Sequence, residues 1–246
     1  MFDFFSRKIY LVDLLKGFVD IHNHILPGID DGAKTIEQSL DLIKGFAEFG
    51  VKNFVCTPHI MHNYYENTPA SIAASYDKLK LALAHENMED TILDRAAEHM
   101  IDDNFEDLLA RKDIMPLKKY HLLVEMSFLQ APINFDRAIQ KITSAGYFPI
   151  LAHPERYGFL RGNFRRYESL KRKNILFQVN LLSLAGYYGD DKKSMAYKLI
   201  EKDLVEFLAS DVHNADQLNA IKETTIPKRY AKKLNPLVNK TIETFW

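Results

Sequence analysis

The sequence predicts an α/β fold, a parallel barrel of strand–helix units in a single domain. Three observations predict it. Seven short apolar runs, rich in β-branched and aromatic residues, recur along the chain, as buried strands do. Helix-like stretches lie between them, and that alternation implies parallel pairing through right-handed crossovers. Seven strands in 246 residues suit a barrel better than an open doubly wound sheet, and 47% hydrophobic content supplies one sizeable core.

The domain is read as 1–246, with an amphipathic extension at 1–17 and a C-terminal helix at 226–246. The opening MFDFFSRKIYLVDLLKGFVD is aromatic-rich but broken by Asp3, Arg7, Lys8, Asp13 and Lys16. It therefore forms no signal peptide or membrane span, and reads as a segment that packs on the body or on another subunit. The strand runs are GFVDIH, KNFVCTPH, DTILDRAAE, HLLVEMS, YFPILAHPE, ILFQVN and VEFLASDVH. The first helical pattern, 35–49, carries apolar Ile36, Leu40, Ile43, Phe46 and Ala47, with Thr35 as N-cap. Patterns at 69–85, 135–145, 194–202 and 216–224 read similarly, and Gly50 and Gly146 sit where a helix C-cap belongs. The last helix presents Tyr230, Leu234, Leu237, Val238, Ile242 and Phe245 on one face, for packing on the body or for a homo-oligomer contact.

Composition narrows the function. Lysine and arginine number 32 against 33 acidic residues, so the basic excess of a non-specific nucleic-acid binder is absent. A single cysteine, Cys56, excludes an intrachain disulfide and suits a reducing, cytoplasmic location. A cysteine-dependent phosphatase would need arginine six positions on, where the chain has His62; Cys56 reads as a buried strand residue.

The strand runs tend to end in metal-competent residues. In chain order these are His22 and His24, His59, Glu98, Glu125, His153, then Asp211 and His213; the sixth run supplies none. In a parallel barrel all strand C-termini open on one face, so residues distant in sequence converge there. Side chains two apart on a strand share a side, so His22 and His24 can grip one ion, and so can Asp211 and His213. One such residue alone is commonly a satisfied polar group; the inference rests on repetition. A mixed imidazole and carboxylate set suits Mn, Zn or Fe. The donors exceed the needs of one tetrahedral ion, and clustered cations activate water and clamp a phosphoryl group. His85, His99 and His121 fall outside the pattern, whereas His62, in the loop after His59, is a candidate to line the pocket.

Together HNH, IDDG, TPH, AAEH, VEMS, AHPER and ASDVHN resemble the PHP (polymerase and histidinol phosphatase) superfamily. They resemble most its branch of bacterial manganese-dependent protein-tyrosine phosphatases from capsule and exopolysaccharide operons. The resemblance runs from about Val19 to Asn214. It implies a distorted TIM-like (β/α)7 barrel holding three divalent ions, manganese foremost. The first ion would take His22, His24, Glu98 and Asp211. The second would share Glu98 and add Glu125 and His153. The third would take Asp31, His59 and His213, leaving Asp30 to support the loop. The resemblance also implies that Arg156, in HPERY, binds the substrate phosphate, as a planar guanidinium is suited to do. A second arginine expected after the DxHN motif is missing from ADQLNAIKE, and Arg161 or His62 is the candidate replacement. The implied substrate is phosphotyrosine on the cytoplasmic tail of a membrane-associated tyrosine kinase that controls polysaccharide export. The rival readings are a small-molecule phosphatase, such as histidinol phosphatase, and a non-catalytic scaffold that binds a phosphorylated partner.

Overall fold

The computed structural model describes residues 8–246. The aromatic start of the N-terminal extension, residues 1–7, lies outside them. The strands are β1 (Lys8–Tyr10), β2 (Val19–Asp20), β3 (Asn53–Cys56), β4 (His59–Ile60), β5 (Ile92–Arg95), β6 (Glu98–Met100), β7 (His121–Glu125), β8 (Phe148–Ala152), β9 (Leu176–Asn180), β10 (Phe207–Ala209) and β11 (Thr225–Pro227). The helices are α1 (Ile36–Ala47), α2 (Pro69–His85), α3 (Phe105–Arg111), α4 (Phe135–Ser144), α5 (Phe164–Arg172), α6 (Leu181–Ala185), α7 (Asp190–Glu201), α8 (Ala215–Glu223) and α9 (Ala231–Phe245).

The sheet topology makes seven staves of these strands. β10-β9-β8-β7-β6-β4 form one parallel sheet and β2-β3-β5 another. β3 and β4 are one stave, interrupted where Pro58 has no N–H to donate. β5 and β6 are the next. The ladder crosses both interruptions, with Ala96 N donating to Cys56 O at 2.8 Å and Glu98 N to Pro58 O at 3.1 Å. At the seam the first and last staves meet. Asp211 N donates to His22 O at 2.8 Å, His24 N donates to Val212 O at 3.0 Å, and Asn23 bridges Val212 in parallel. The Ser210 hydroxyl donates to Asp20 Oδ2 at 2.5 Å and its N–H to Asp20 Oδ1 at 2.9 Å. Asp20 is fully buried, and burial pushes its carboxyl up to about 6 despite those bonds.

Period-two alternation divides the core. Val19, Ile21, Val55, Ala96, Leu123, Ile150 and Phe207 pack with one another and with Phe245 inside the ring. Leu122, Val124, Leu151, Phe177 and Leu208 face outward, into the layer shared with the helices. Inward residues two positions further on are polar: Glu98 follows Ala96, and Glu125 follows Leu123. An apolar floor therefore supports a polar mouth. Burying each of the large apolar side chains is worth about 1.5–3 kcal/mol.

Two helices begin where the chain chemistry directs. Thr35 caps α1 by accepting from Gln38 N, and Thr68 with Ser71 forms a capping box ahead of Pro69 in α2. Gly50 and Gly146 adopt left-handed φ of 83° and 87° just past α1 and α4. Two expectations are corrected. Residues 226–230 are not helical: β11 pairs antiparallel with β1, Ile9 opposite Ile226, and a single 3₁₀ turn follows. The 194–202 pattern begins earlier, at Asp190, where acidic residues face the helix N-terminus. The described part of the N-terminal extension packs on the body through buried Leu11 and Leu15. Among the described residues no helix is long and apolar enough to cross a membrane.

Because Asp20 and Ser210 join the seam in a buried setting, Ser210→Ala should cost about 1–3 kcal/mol. Urea unfolding of the chelator-treated protein measures this.

Candidate metal centre

All nine expected donor residues converge at the mouth of the barrel. Glu98 is at the middle and fully buried. Its Oε2 stands 3.1 Å from His22 Nε2, 3.1 Å from His59 Nδ1 and 3.5 Å from His24 Nε2. Its Oε1 stands 3.1 Å from His153 Nε2. Glu125 Oε1 is 3.0 Å from His59 Nδ1. Asp211 Oδ1 lies 3.4 Å from Nε2 of both His22 and His24. Asp31 Oδ1 is 3.4 Å from His59 Nε2 and 3.6 Å from His213 Nε2. Four overlapping sets bring donor atoms within 4.8 Å of one another: His24, Asp31, His59 and His213; His22, His24 and Asp211; His22, Glu98 and His153; His59, Glu98 and Glu125. His59 therefore touches two groups, Asp31 with one ring nitrogen and Glu98 with Glu125 through the other.

The backbone turns sharply to present these groups. β2 ends at Asp20 and β10 at Ala209, so His22, His24, Asp211 and His213 stand on the seam beyond the strands proper. His153 and Asp211 take left-handed φ of 36° and 56°. Such conformations cost roughly 1–3 kcal/mol in residues with a Cβ and gather at functional sites. In the first loop Gly28 (φ 74°) makes the turn after Pro27, and its N–H donates to Ala33 O at 2.8 Å. The loop then folds back so tightly that a Cβ on Gly32 would meet His24 O at 2.0 Å. Only glycine fits there.

The surrounding residues aim the donors. Asp30 Oδ2 lies 2.8 Å from His24 Nδ1, its Oδ1 accepts from Gly32 N at 2.9 Å, and Oδ2 also accepts from His59 N at 3.2 Å. Gln178 Oε1 sits 2.8 Å from His22 Nδ1. Each contact places the ring proton on Nδ1 and turns Nε2 to the cluster. Gln178 Nε2 donates to Asn180 Oδ1 at 2.8 Å, and Asn180 Nδ2 donates to Asp211 Oδ2 at 2.6 Å. These two amides come from the sixth strand, which supplied no candidate in the sequence. Their signal was present: two amide side chains two positions apart in an apolar run, as in HNH.

Electrostatics follow from burial and crowding. Burial alone would lower His22, His24 and His59. Glu98 and Asp211 outweigh it at His22, Asp30 at His24, and Glu125 with Glu98 at His59, so all three are raised. Burial would raise Glu98 and Asp211, but the facing histidines, His22 foremost, hold both well below the usual carboxylate range. Asp31 is held low likewise, its burial outweighed by His213 and His59.

A cavity of about 250 Å³ opens over the cluster, lined also by Phe128, Arg156, Tyr188, Asn214 and Gln217. Arg156 Nη1 donates to Asp211 Oδ2 at 2.7 Å, and its guanidinium lies 4.6 Å from the Phe128 ring and 4.0 Å from the Tyr188 ring. Glu155 does not pair with it; that carboxyl is buried under Asn180 N and the Ser183 hydroxyl. His62 is exposed, 3.7 Å from Glu66, and not among the lining residues. The sequence reading that placed it in the pocket is corrected: the loop after β4 carries it outward. Arg161 is tied to Asp191, also outside the lining. Beyond His213 the cavity wall is lined by uncharged Asn214 and Gln217. His99 is structural: Met115 N donates to its Nε2, and burial lowers it to about 4.

Residues 18–236 match a family model described as capsular polysaccharide synthesis, CpsB/CapC. The chain is 32% identical to tyrosine-protein phosphatase YwqE of Bacillus subtilis (strain 168), over 82% of this chain and 79% of that protein. It is 29% identical to tyrosine-protein phosphatase CpsB of Streptococcus pneumoniae, over 87% and 92%. Among solved structures, one from work on YwqE and CpsB, described as unique metal-dependent tyrosine phosphatases, superposes with a TM-score of 0.81 at 28% identity, covering 92% of this chain and 93% of that one. A histidinol phosphate phosphatase from Lactococcus lactis superposes at a TM-score of 0.53 and 13% identity, covering 92% and 94%, a likeness of fold alone.

The raised histidines set a pH dependence. His22, His24 and His59 lie above their ordinary value of 6.5, so in chelator-treated protein their stabilisation is complete below about pH 6.5 and lost as pH rises through the folded values. The melting temperature of that protein should fall as pH rises above about 6.5. Added Mn²⁺ should reverse the trend, because metal binding displaces those protons and strengthens with pH. Calorimetry with and without metal reads both curves.

Proposed function

The chain belongs to the capsular polysaccharide synthesis CpsB/CapC family, and on that footing we propose that it is a metal-dependent protein-tyrosine phosphatase. One observation carries the reading. Glu98 Oε2, Glu125 Oε1 and His59 Nδ1 are buried yet accept and donate no hydrogen bond, although His59 Nδ1 lies within 3.1 Å of both carboxylates. Donor atoms that crowd together without bonding to one another are aimed at a shared third centre. Unpaired, each would cost about 1–3 kcal/mol or more. Hard oxygen and imidazole donors fit Mn, Fe or Zn, and the overlapping sets give room for three ions.

Ions held there supply activation of water and neutralisation of phosphoryl charge. The chain's residues do the remainder. His22, His24 and Asp211 would hold one ion with bridging Glu98; Glu125 and His153 would hold a second. Asp31, His59 and His213 would hold a third. Asp30 and Gln178 keep the imidazoles of His24 and His22 in the ligating tautomer. Arg156 spends one N–H on Asp211; its other donors, of the five a guanidinium has, bind phosphoryl oxygens and stabilise charge as it builds. Phe128 and Tyr188 fix that guanidinium from its faces. A tyrosyl oxygen is a moderate leaving group with a pKa near 10, so the wall needs no strong acid where Asn214 and Gln217 stand. The substrate class is a phosphotyrosine protein, and the family's place in capsule synthesis points to the cytoplasmic tail of a membrane-associated tyrosine kinase.

Purified protein with Mn²⁺ should hydrolyse p-nitrophenyl phosphate and phosphotyrosine peptides, and a chelator should abolish both activities. Turnover no higher than that of His22→Ala would overturn the reading, and turnover of histidinol phosphate above that of the peptides would favour the small-molecule alternative. Arg156→Ala should lower kcat/KM by about 10²–10³-fold at unchanged metal content. Asp31→Ala should lose one ion by elemental analysis and keep the His22–His24 ion.

A further inference from the structure

Beside the metal cavity, across one wall, lies an open groove of about 440 Å³ lined by Ala131, Phe159, Leu160, Arg166, Ser169 and Leu170. The two loops that build it are those that build the cavity. The loop after β7 gives Phe128 to the cavity and Ala131 to the groove. The loop after β8 gives Arg156 to the cavity and Phe159 and Leu160 to the groove. An aromatic row forms the wall between them, with Phe128 5.7 Å from Tyr157 and Tyr157 5.6 Å from Phe159.

Apolar surface continues over the rim. Leu129 is 89% exposed and Ile133 103%, and Phe128 itself is 43% exposed while stacked on Arg156. Contiguous exposed apolar residues beside a binding cavity mark a contact surface. The platform is held in place: Asn134 Nδ2 donates to Asp102 O at 3.1 Å, and Phe135 N to Pro132 O at 3.1 Å. Arg166 brings a positive charge to the groove. Arg165 and Arg166 occupy the first turn of α5, a turn that holds no acidic residue. The helix dipole disfavours cations there, so local stability does not account for them. Arg166 reaches back to Phe159 O, which sets it over the groove.

We propose that this groove is a subsite for the polypeptide around the phosphorylated residue, taking an apolar side chain with an acidic neighbour at Arg166. The proposal rests on the phosphatase reading of the metal centre. Phe128 and Ala131 are three residues apart, at most about 11 Å of chain. A substrate residue two or three positions from the phosphotyrosine therefore spans from cavity to groove. A small phosphomonoester fills only the cavity and gains nothing from the groove, so the subsite discriminates between protein and small-molecule substrates.

The test compares Mn²⁺-loaded protein on p-nitrophenyl phosphate and on phosphotyrosine peptides carrying Leu-Glu or Gly-Ser three positions before or after the phosphotyrosine. The parent should prefer one Leu-Glu peptide by at least fivefold in kcat/KM. Ala131→Trp and Ser169→Trp, which fill the groove from opposite sides, should each lower the ratio of that peptide to p-nitrophenyl phosphate at least fivefold. Arg166→Glu should lower it through the acidic residue. An equal ratio in the parent and both tryptophan variants, or no preference between peptides, overturns the subsite. If the parent hydrolyses no p-nitrophenyl phosphate, the phosphatase reading has failed instead. Fluorescence anisotropy of the labelled Leu-Glu peptide then decides the groove alone: equal binding by parent and variants overturns it, and weaker binding by the variants upholds it.

Discussion

A carboxylate with no exposed surface cannot remain ionised unless its neighbours supply the charge that water would have screened. Glu98 is in that position. Its two oxygens face His22, His24, His59 and His153, which come from three separate staves. Each of those imidazoles has a second obligation on the side away from Glu98 or along its rim: Gln178 for His22, Asp30 for His24, Asp31 for His59 and Glu125 for His153. The cluster is therefore a closed ring of mutual charge requirements rather than a row of independent ligands. Removing any member leaves an uncompensated group at the centre. In the absence of cations, protons held on His22, His24 and His59 fill the same role, which ties metal content, protonation and stability together.

Asp211 shows how the ring reaches outward. Its Oδ1 faces His22 and His24, whereas Oδ2 accepts from Arg156 and Asn180. One side chain thereby couples the histidine side of the mouth to the Arg156 guanidinium, the residue proposed to meet phosphate. Arg156 is not a free cation waiting over the cavity. It is anchored by Asp211 and held between the Phe128 and Tyr188 rings, which fixes the guanidinium in one orientation over the cavity.

The sequence disclosed the strand ends because the polar residues there break apolar runs, and repetition across six runs outweighed the ambiguity of each. Thr35 and Pro69 announced helix starts for local reasons that no tertiary contact overrides. What stayed hidden depends on long-range geometry. Ile226 and Pro227 carry a helix-compatible apolar pattern, but pairing with Ile9 and Lys8, more than 200 positions away in sequence, draws them into a strand. Gln178 and Asn180 carry no charge and so did not register as site residues, although they orient His22 and Asp211. The left-handed turns at His153 and Asp211 occur at residue types that adopt φ > 0 more readily than most, but only as a minority conformation, so their identity does not fix the turn. His62 was drawn in by its nearness to His59 in sequence; the turn after β4 separates them in space.

Closure of the barrel and assembly of the centre are one event. The seam joins β2, two residues long, to β10, three residues long, and strands so short cannot hold a sheet edge by backbone bonds alone. Asp20 and Ser210 supply a buried side-chain clasp below, while His22 and His24 on one side and Asp211 on the other meet above. A cation gripped by those three would span the seam itself. Its binding free energy would then oppose opening of the weakest joint in the ring, since a ligand that binds only the closed state stabilises that state. Donors on the first and last staves would thus serve two ends: they would place an ion at the mouth, and they would let the ion complete the barrel that places them.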